Sequence, residues 1–173
     1  ERVVEQDARV GEHRDAIETM GVLLDRAPES LLLTASYAEL LIEAGRLEQA
    51  IDLLEKTLFI NPNNAPIAML YARALTAAKR FGDAETVLWQ QTRIRPDDIH
   101  VWFELAETAG LAGHIVDVHR ARAEYFALHG AYQNAIQHLQ YARSLLQEDS
   151  HHLVLRLEQR IIDLRTDAEA ARG

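Results

Sequence analysis

Histidines and carboxylates are the side chains here with the most obvious chemistry: 8 His and 27 Asp plus Glu, with no Cys, among 173 residues. Two metal ligands on one helix need to sit four apart to share a face. His114 and His119 are five apart, His129 and His138 nine apart, and the adjacent His151 and His152 point apart on a helix, so no native metal site is expected. Ser30, Ser36, Ser144 and Ser150 lack the glycine elbow that exposes a nucleophilic serine, and no thiol is present. Gly-rich phosphate loops are missing as well. Paired carboxylates abound, but on a regular helical scaffold they read as a solvated face. Catalysis by these residues is not expected.

Composition narrows the class further. With 8 Gly, 4 Pro, 48% hydrophobic and 26% charged residues, disorder, collagen-like sequence and a disulfide scaffold are excluded. The length suffices to bury a sizeable core. A formal net charge of −9 opposes a nucleic-acid footprint and disfavours an RNA-reading helical repeat. No apolar run approaches the roughly 20 residues of a spanning helix, so membrane insertion is not expected. The chain opens Glu1-Arg2-Val3-Val4, without Met or a signal-like stretch. It is expected to be a piece or processed form of a longer protein, its targeting segment removed.

The elements that position these groups follow a fixed interval. Pro28, Pro62 and Pro96 are spaced 34 and 34, as are Ala16, Ala50 and Ala84, and Ser30, Asn64 and Asp98. Tyr37, Tyr71 and Leu105 share a phase, as do Ala38, Ala72 and Ala106; Gly11, Gly45 and Gly113 share another, with Lys79 standing in the glycine column. Ser30, Asn64 and Asp98 are suited to cap helix N-termini. The proline two residues earlier ends the preceding helix, and the glycine column marks left-handed helix ends. Apolar residues such as Leu47, Ala50, Ile51, Leu54 and Leu58 recur at three and four, which is helical periodicity.

Helices are predicted over about 2–10, 13–26, 31–44, 47–60, 65–78, 81–94, 99–111, 114–129, 132–147 and 150–171. Pairs of this length stack into a solenoid. The columns resemble the tetratricopeptide repeat. Trp102, Leu105, Ala106, Ala109 and Gly113 stand where that family places Trp, Leu, a small residue, a larger one and Gly, and Leu54, Pro62, Leu88 and Pro96 fill later columns. The resemblance covers about residues 1–114 and implies an all-α, right-handed α-solenoid of about ten helices. The chain reads as a single domain over 1–173, with repeats at about 1–30, 31–64, 65–98 and 99–130 and a re-phased pair over 131–173.

The period breaks after residue 114. Val118 and Gly130 stand where alanine and proline are due, yet Gly130-x-Tyr132-x-x-Ala135-Ile136-x-x-Leu139 repeats Gly45-x-Leu47-x-x-Ala50-Ile51-x-x-Leu54. The helix over 114–129 therefore closes one repeat and opens the next, and the last helix caps the stack. Arg120-Ala121-Arg122-Ala123-Glu124-x-x-Ala127-Leu128-x-Gly130, Ala135-Ile136-x-x-Leu139 and Arg160-Ile161-Ile162-x-Leu164-Arg165 resemble the C-terminal end of BepA-type periplasmic zinc metalloproteases. That resemblance implies a periplasmic chaperone-protease that assists outer-membrane β-barrel assembly and degrades stalled substrates. Its implied partners are the outer-membrane assembly machinery, unassembled outer-membrane proteins and its own protease domain. The zinc it implies belongs to a His-Glu-x-x-His site, a motif that does not occur in these 173 residues, so no cofactor is assigned to them. The alternative is a free-standing tetratricopeptide adaptor in another bacterial secretion or envelope pathway.

By the same family resemblance, the first helix of each pair lines a concave groove. The matching positions are Leu32, Ala35, Glu39 and Ile42; Met69, Arg73 and Thr76; and His100, Phe103 and Glu107. Met69 and Phe103 are expected to be exposed and to suit a hydrophobic segment, or else to tuck under the neighbouring repeat. Arg73 between Glu39 and Glu107 is either an ion-pair ladder or a polar handle. The Lys and Asn columns of the cochaperone carboxylate clamp carry Ala35, Met69 and Phe103, then Glu39, Arg73 and Glu107, so that clamp is absent. Arg120 and Glu124, four apart, are placed to pair on one helix surface, and Arg120 and Arg122 are the candidates for a contact with another domain. The tail either docks the protease domain or simply closes the stack. Trp89 reads as an outward anchor, or as packed against Phe81 or the next repeat.

Overall fold

A computed structural model describes residues 2–147 and 150–171, with side chains from residue 14 onward. The described residues form nine α-helices and no strand: α1 (Arg2–Arg26), α2 (Leu31–Glu43), α3 (Leu47–Ile60), α4 (Ala65–Ala77), α5 (Phe81–Ile94), α6 (Ile99–Ala112), α7 (Ile115–Leu128), α8 (Tyr132–Ser144) and α9 (His151–Ala170). They divide into two compact units, Glu1–Val87 and Leu88–Gly173, with the boundary inside α5.

The capping columns act as their side chains dictate. Ser30 Oγ accepts the Leu33 N–H at 3.3 Å, Asn64 Oδ1 that of Ile67 at 3.0 Å, and Asp98 Oδ1 that of His100 at 3.0 Å. Each satisfies one orphan donor of a first helical turn.

Helix ends are equally regular. Gly45, Lys79, Gly113 and Gly130 all adopt positive φ, at 72°, 61°, 78° and 72°. In each case the following N–H reaches back to the same carbonyl position: Arg46 to Leu41, Arg80 to Leu75, His114 to Ala109 and Ala131 to Phe126, at 2.8–2.9 Å. This is the Schellman closure, which turns a helix end so that the next helix can fold back. Lys79 alone carries a Cβ in that conformation, and the left-handed region costs a side-chain-bearing residue about 1 kcal/mol. Lys79→Gly is therefore expected to raise stability by up to about 1 kcal/mol, offset in part by glycine's freedom in the unfolded chain. The denaturation midpoint checks this; a lowered midpoint contradicts it.

Two predicted boundaries are corrected. The segments 2–10 and 13–26 are one helix, α1, running through Gly11. A glycine inside a helix costs only about 1 kcal/mol. The backbone ladder therefore continues through it. Helix α8 ends at Ser144, three residues before the predicted 147, where Leu145 and Leu146 donate back to Ala142 and Arg143 in tight turns.

Unit 1 is built on Ile17, Ala38, Leu41, Ala50, Ile51, Leu54, Ile67, Ala74, Leu75 and Ala84. The alanines of the 34-residue column, Ala50 and Ala84, are fully buried, as a close helix–helix contact requires. In unit 2, α7 packs against both α6 and α8, so one helix closes one hairpin and opens the next. Ala123, Ala135, Ile136, Leu139, Ala142, Leu157, Ile161 and Leu164 join α7, α8 and α9 in one core. Among the described residues no helix is long and apolar enough to cross a membrane.

Candidate partner-binding site

In unit 1 the positions assigned to the groove divide by burial. Leu32 is 78% exposed, whereas Ala35 and Ile42 are half-buried and pack on the core of the unit. Met69 is half-buried too, which corrects the expectation that it stands exposed; Ile67 and Ala68 beside it are buried and draw that side of α4 into the core. Thr76 turns its hydroxyl back to the Ala72 carbonyl at 2.9 Å. Arg73 lies 3.9 Å from Glu39, both side chains half exposed, so the pair adds little stability and stays open to exchange.

Unit 2 contains the better-formed site. Phe103 on α6, with Ala106 and Glu107, faces Arg122, Tyr125 and Phe126 on α7 and His138 on α8 around a cleft of about 190 Å³. The Phe103 ring is 49% exposed and its centroid lies 6.0 Å from that of Tyr125. Phe126 stacks on His138 at 5.3 Å and 11°, while Tyr125 packs edge-on against Phe126. Glu107 meets Arg122 at 3.8 Å, again with both groups about half exposed. Arg122 thus has a partner within its own unit. His100 is exposed, beside the Asp98 cap.

Tyr125 and Phe126 carry no signal of their own in the sequence, and His138 stands out there only through its spacing from His129. They join Phe103 only once α7 is seen to serve two hairpins, which sets its face toward both α6 and α8.

His138 belongs to a pair that spacing along one helix does not reveal. Its Nδ1 lies 2.7 Å from Nδ1 of His119, so one ring donates and the other accepts. The Tyr141 ring lies edge-on to His119 at 4.5 Å. Burial lowers the pKa of both imidazoles, with nearby Arg122 adding to it and, for His138, the charge of His119 as well. A lowered folded-state pKa means the unfolded chain takes up protons first as pH falls. The stability is fully present above about pH 6.5 and is lost progressively below it, down to the folded-state values. Melting temperature is therefore expected to fall more steeply between about pH 7 and about pH 5 in the native chain than in His138→Gln. Equal slopes contradict this.

The paired-residue expectation on α7 is corrected. Arg120 bonds Asp117, three residues back, and its guanidinium lies 4.4 Å above the Trp89 ring. Glu124 instead takes Arg160 of α9 through both oxygens, at 2.7–3.2 Å. That partly buried fork outcompetes an exposed pair along one helix and holds the Arg160 pKa above its ordinary value. Trp89 meets Trp102 edge-to-face at 6.1 Å, so its packing is with the following helix; Trp102 Nε1 donates to the Pro96 carbonyl at 2.7 Å.

Helix hairpins with capped starts, left-handed ends and a regular interval define a helical-repeat protein, a class whose stacked units present extended binding surfaces. Residues 8–59 and 41–107, together more than half of the chain, match the tetratricopeptide repeat model, and the chain belongs to that family. It is a tetratricopeptide protein–protein interaction domain, and its fold class is all-α. No curated protein matches it in sequence. Among solved structures it is similar to MamA (residues 41 to the end) from Desulfovibrio magneticus RS-1, at 15% identity over 96% of this chain and 93% of that one, TM-score 0.61. A second MamA crystal structure matches at 12% identity over 97% and 96%, TM-score 0.62. A tetratricopeptide repeat protein from Parabacteroides merdae matches at 14% over 87% and 66%, TM-score 0.53. At such identities the likeness is one of fold.

Proposed function

We propose that the chain grips an unfolded polypeptide segment in the α6–α8 cleft. Phe103, Tyr125 and Phe126 would receive an apolar side chain, and Glu107 and Arg122 would set its register. The observation that carries this is the half-exposed Phe103 ring at the rim of a cleft that other aromatics already line. An exposed aromatic beside apolar walls is the composition of a binding hot spot. In unit 1, Leu32 with the loosely paired Glu39 and Arg73 offers a further surface of the same kind.

The wider setting we infer is an envelope metalloprotease-chaperone acting in the periplasm. Residues 1–173 would be its single repeat domain. They would recruit the outer-membrane assembly machinery or unassembled outer-membrane proteins and control access to a protease domain, whose zinc would be held by residues outside this chain. The tail sequence around Arg120–Gly130 and Arg160–Arg165 supports this reading. The second reading is a free-standing adaptor in another bacterial secretion or envelope pathway, which the tetratricopeptide family match supports equally. The sequence encoded upstream of Glu1 separates the two.

Phe103→Glu is expected to weaken capture of an unfolded outer-membrane β-barrel polypeptide, diluted from urea, by about tenfold or more, with the circular dichroism spectrum unchanged. Unaltered capture would remove the cleft from consideration.

A further inference from the structure

Unit 2 holds a second cavity that the cleft does not use. It measures about 200 Å³ and lies among Trp89, Trp102, Glu124, Leu157 and the guanidiniums of Arg120, Arg156 and Arg160. It lies on a different face of α7, since Arg120 and Arg122 are about 200° apart around the helix.

Its walls combine two tryptophans and three leucines with three guanidiniums. Two of the guanidiniums are committed: Arg120 to Asp117 and the face of Trp89, Arg160 to both oxygens of Glu124. Arg156 is exposed and has no hydrogen bond or ion pair with any described residue. It stands four residues from Arg160 on α9, a spacing at which like charges repel. Within the lining three guanidiniums face one carboxylate, Glu124; Asp117 pairs with Arg120, and Asp163 and Asp167 act on Arg160 from farther along α9, so Arg156 is the guanidinium left for a ligand.

The geometry points to a binding site for a single apolar carboxylate, with its acid group on Arg156 and its apolar body against Trp89, Trp102 and Leu157. A monoanion matches the one unpartnered guanidinium, whereas a doubly charged phosphate would meet Glu124, Asp163 and Asp167 with only Arg156 to offset them. The volume is below that of ordinary ligand pockets and suits one residue-sized group. Neighbouring side chains of an extended segment point to opposite sides, so an acidic residue beside an apolar one cannot put both side chains into so small a space. A C-terminal apolar residue carries both parts in one unit, as does a free amphipathic acid.

The only two tryptophans of the chain line this cavity, so intrinsic fluorescence reports on it directly. The probes are N-acetylleucine and its amide, and a short leucine-terminated peptide with its amidated twin, titrated into the millimolar range. The acid forms are expected to give a saturable change in tryptophan emission and the amides none. A response to both acids identifies a general apolar-carboxylate site; a response to the peptide alone identifies a chain terminus as the source. Arg156→Gln is expected to weaken the response by about tenfold or more, with unchanged circular dichroism, and Arg156→Lys to keep part of it. Equal responses from acids and amides, no saturable response, or undiminished binding by Arg156→Gln would overturn the proposal.

Discussion

Leu54→Ala is expected to lower stability by about 2–5 kcal/mol, the largest effect of any single substitution considered. Leu54 is 0% exposed and sits in the unit 1 cluster with Leu41, Ile51, Ile67 and Leu75. Removing its three outer carbons costs their transfer free energy and leaves a cavity walled by side chains from several helices. Helices packed this tightly relax poorly into such a gap. Because total stability is only about 5–15 kcal/mol, the loss should be plain in a chemical denaturation curve. Asp52→Ala, at an exposed position on the same helix, is the control and should change it by less than about 0.5 kcal/mol. A small effect at Leu54 would mean that α3 does not bury the face described here.

The second large effect goes the opposite way in volume. Ala50→Leu is expected to destabilise by about 1–3 kcal/mol, because Ala50 is also 0% exposed where two helices meet and a larger side chain must push them apart or leave its rotamer. The same change at Ala44, exposed at the end of α2, should be close to neutral. Calorimetric melting of both variants checks the contrast. Two equal, small shifts would contradict the assignment of the alanine column to helix contacts.

Features that repeat along the chain could be read before any coordinates. Asn64 and Asp98 cap helices because a short side-chain oxygen is suited to nothing else at that point, and Gly45 and Gly113 close helices because only a missing Cβ makes that conformation free of strain. The interval located these positions, and most helix ends fell within a residue or two. Gly11 shares the phase but not the role: a glycine permits a reversal without enforcing one, and the helix runs on through it.

What escaped was pairing across helices. An acid four residues from an arginine suggests a local pair, but Glu124 has a better-shaped partner 36 residues onward in Arg160, and Arg120 finds Asp117 and the Trp89 ring. His119 and His138, 19 residues apart, meet only because α7 and α8 pack with those two faces together. Phe103 was named from its column, yet Tyr125 and Phe126 needed the rotation of α7, which periodicity alone does not supply. Half a repeat is missing at that point, and the column arithmetic stops with it.

The central claim is that unit 2 holds polypeptide in the cleft around Phe103. Its most direct test places a photo-crosslinkable phenylalanine analogue at position 103 and, separately, at Leu111, an exposed position on α6 that does not line the cleft. Each is irradiated with the unfolded β-barrel polypeptide. Adducts from position 103 and few from 111 are the result this account predicts; equal adducts at both positions, or none at 103, would contradict it.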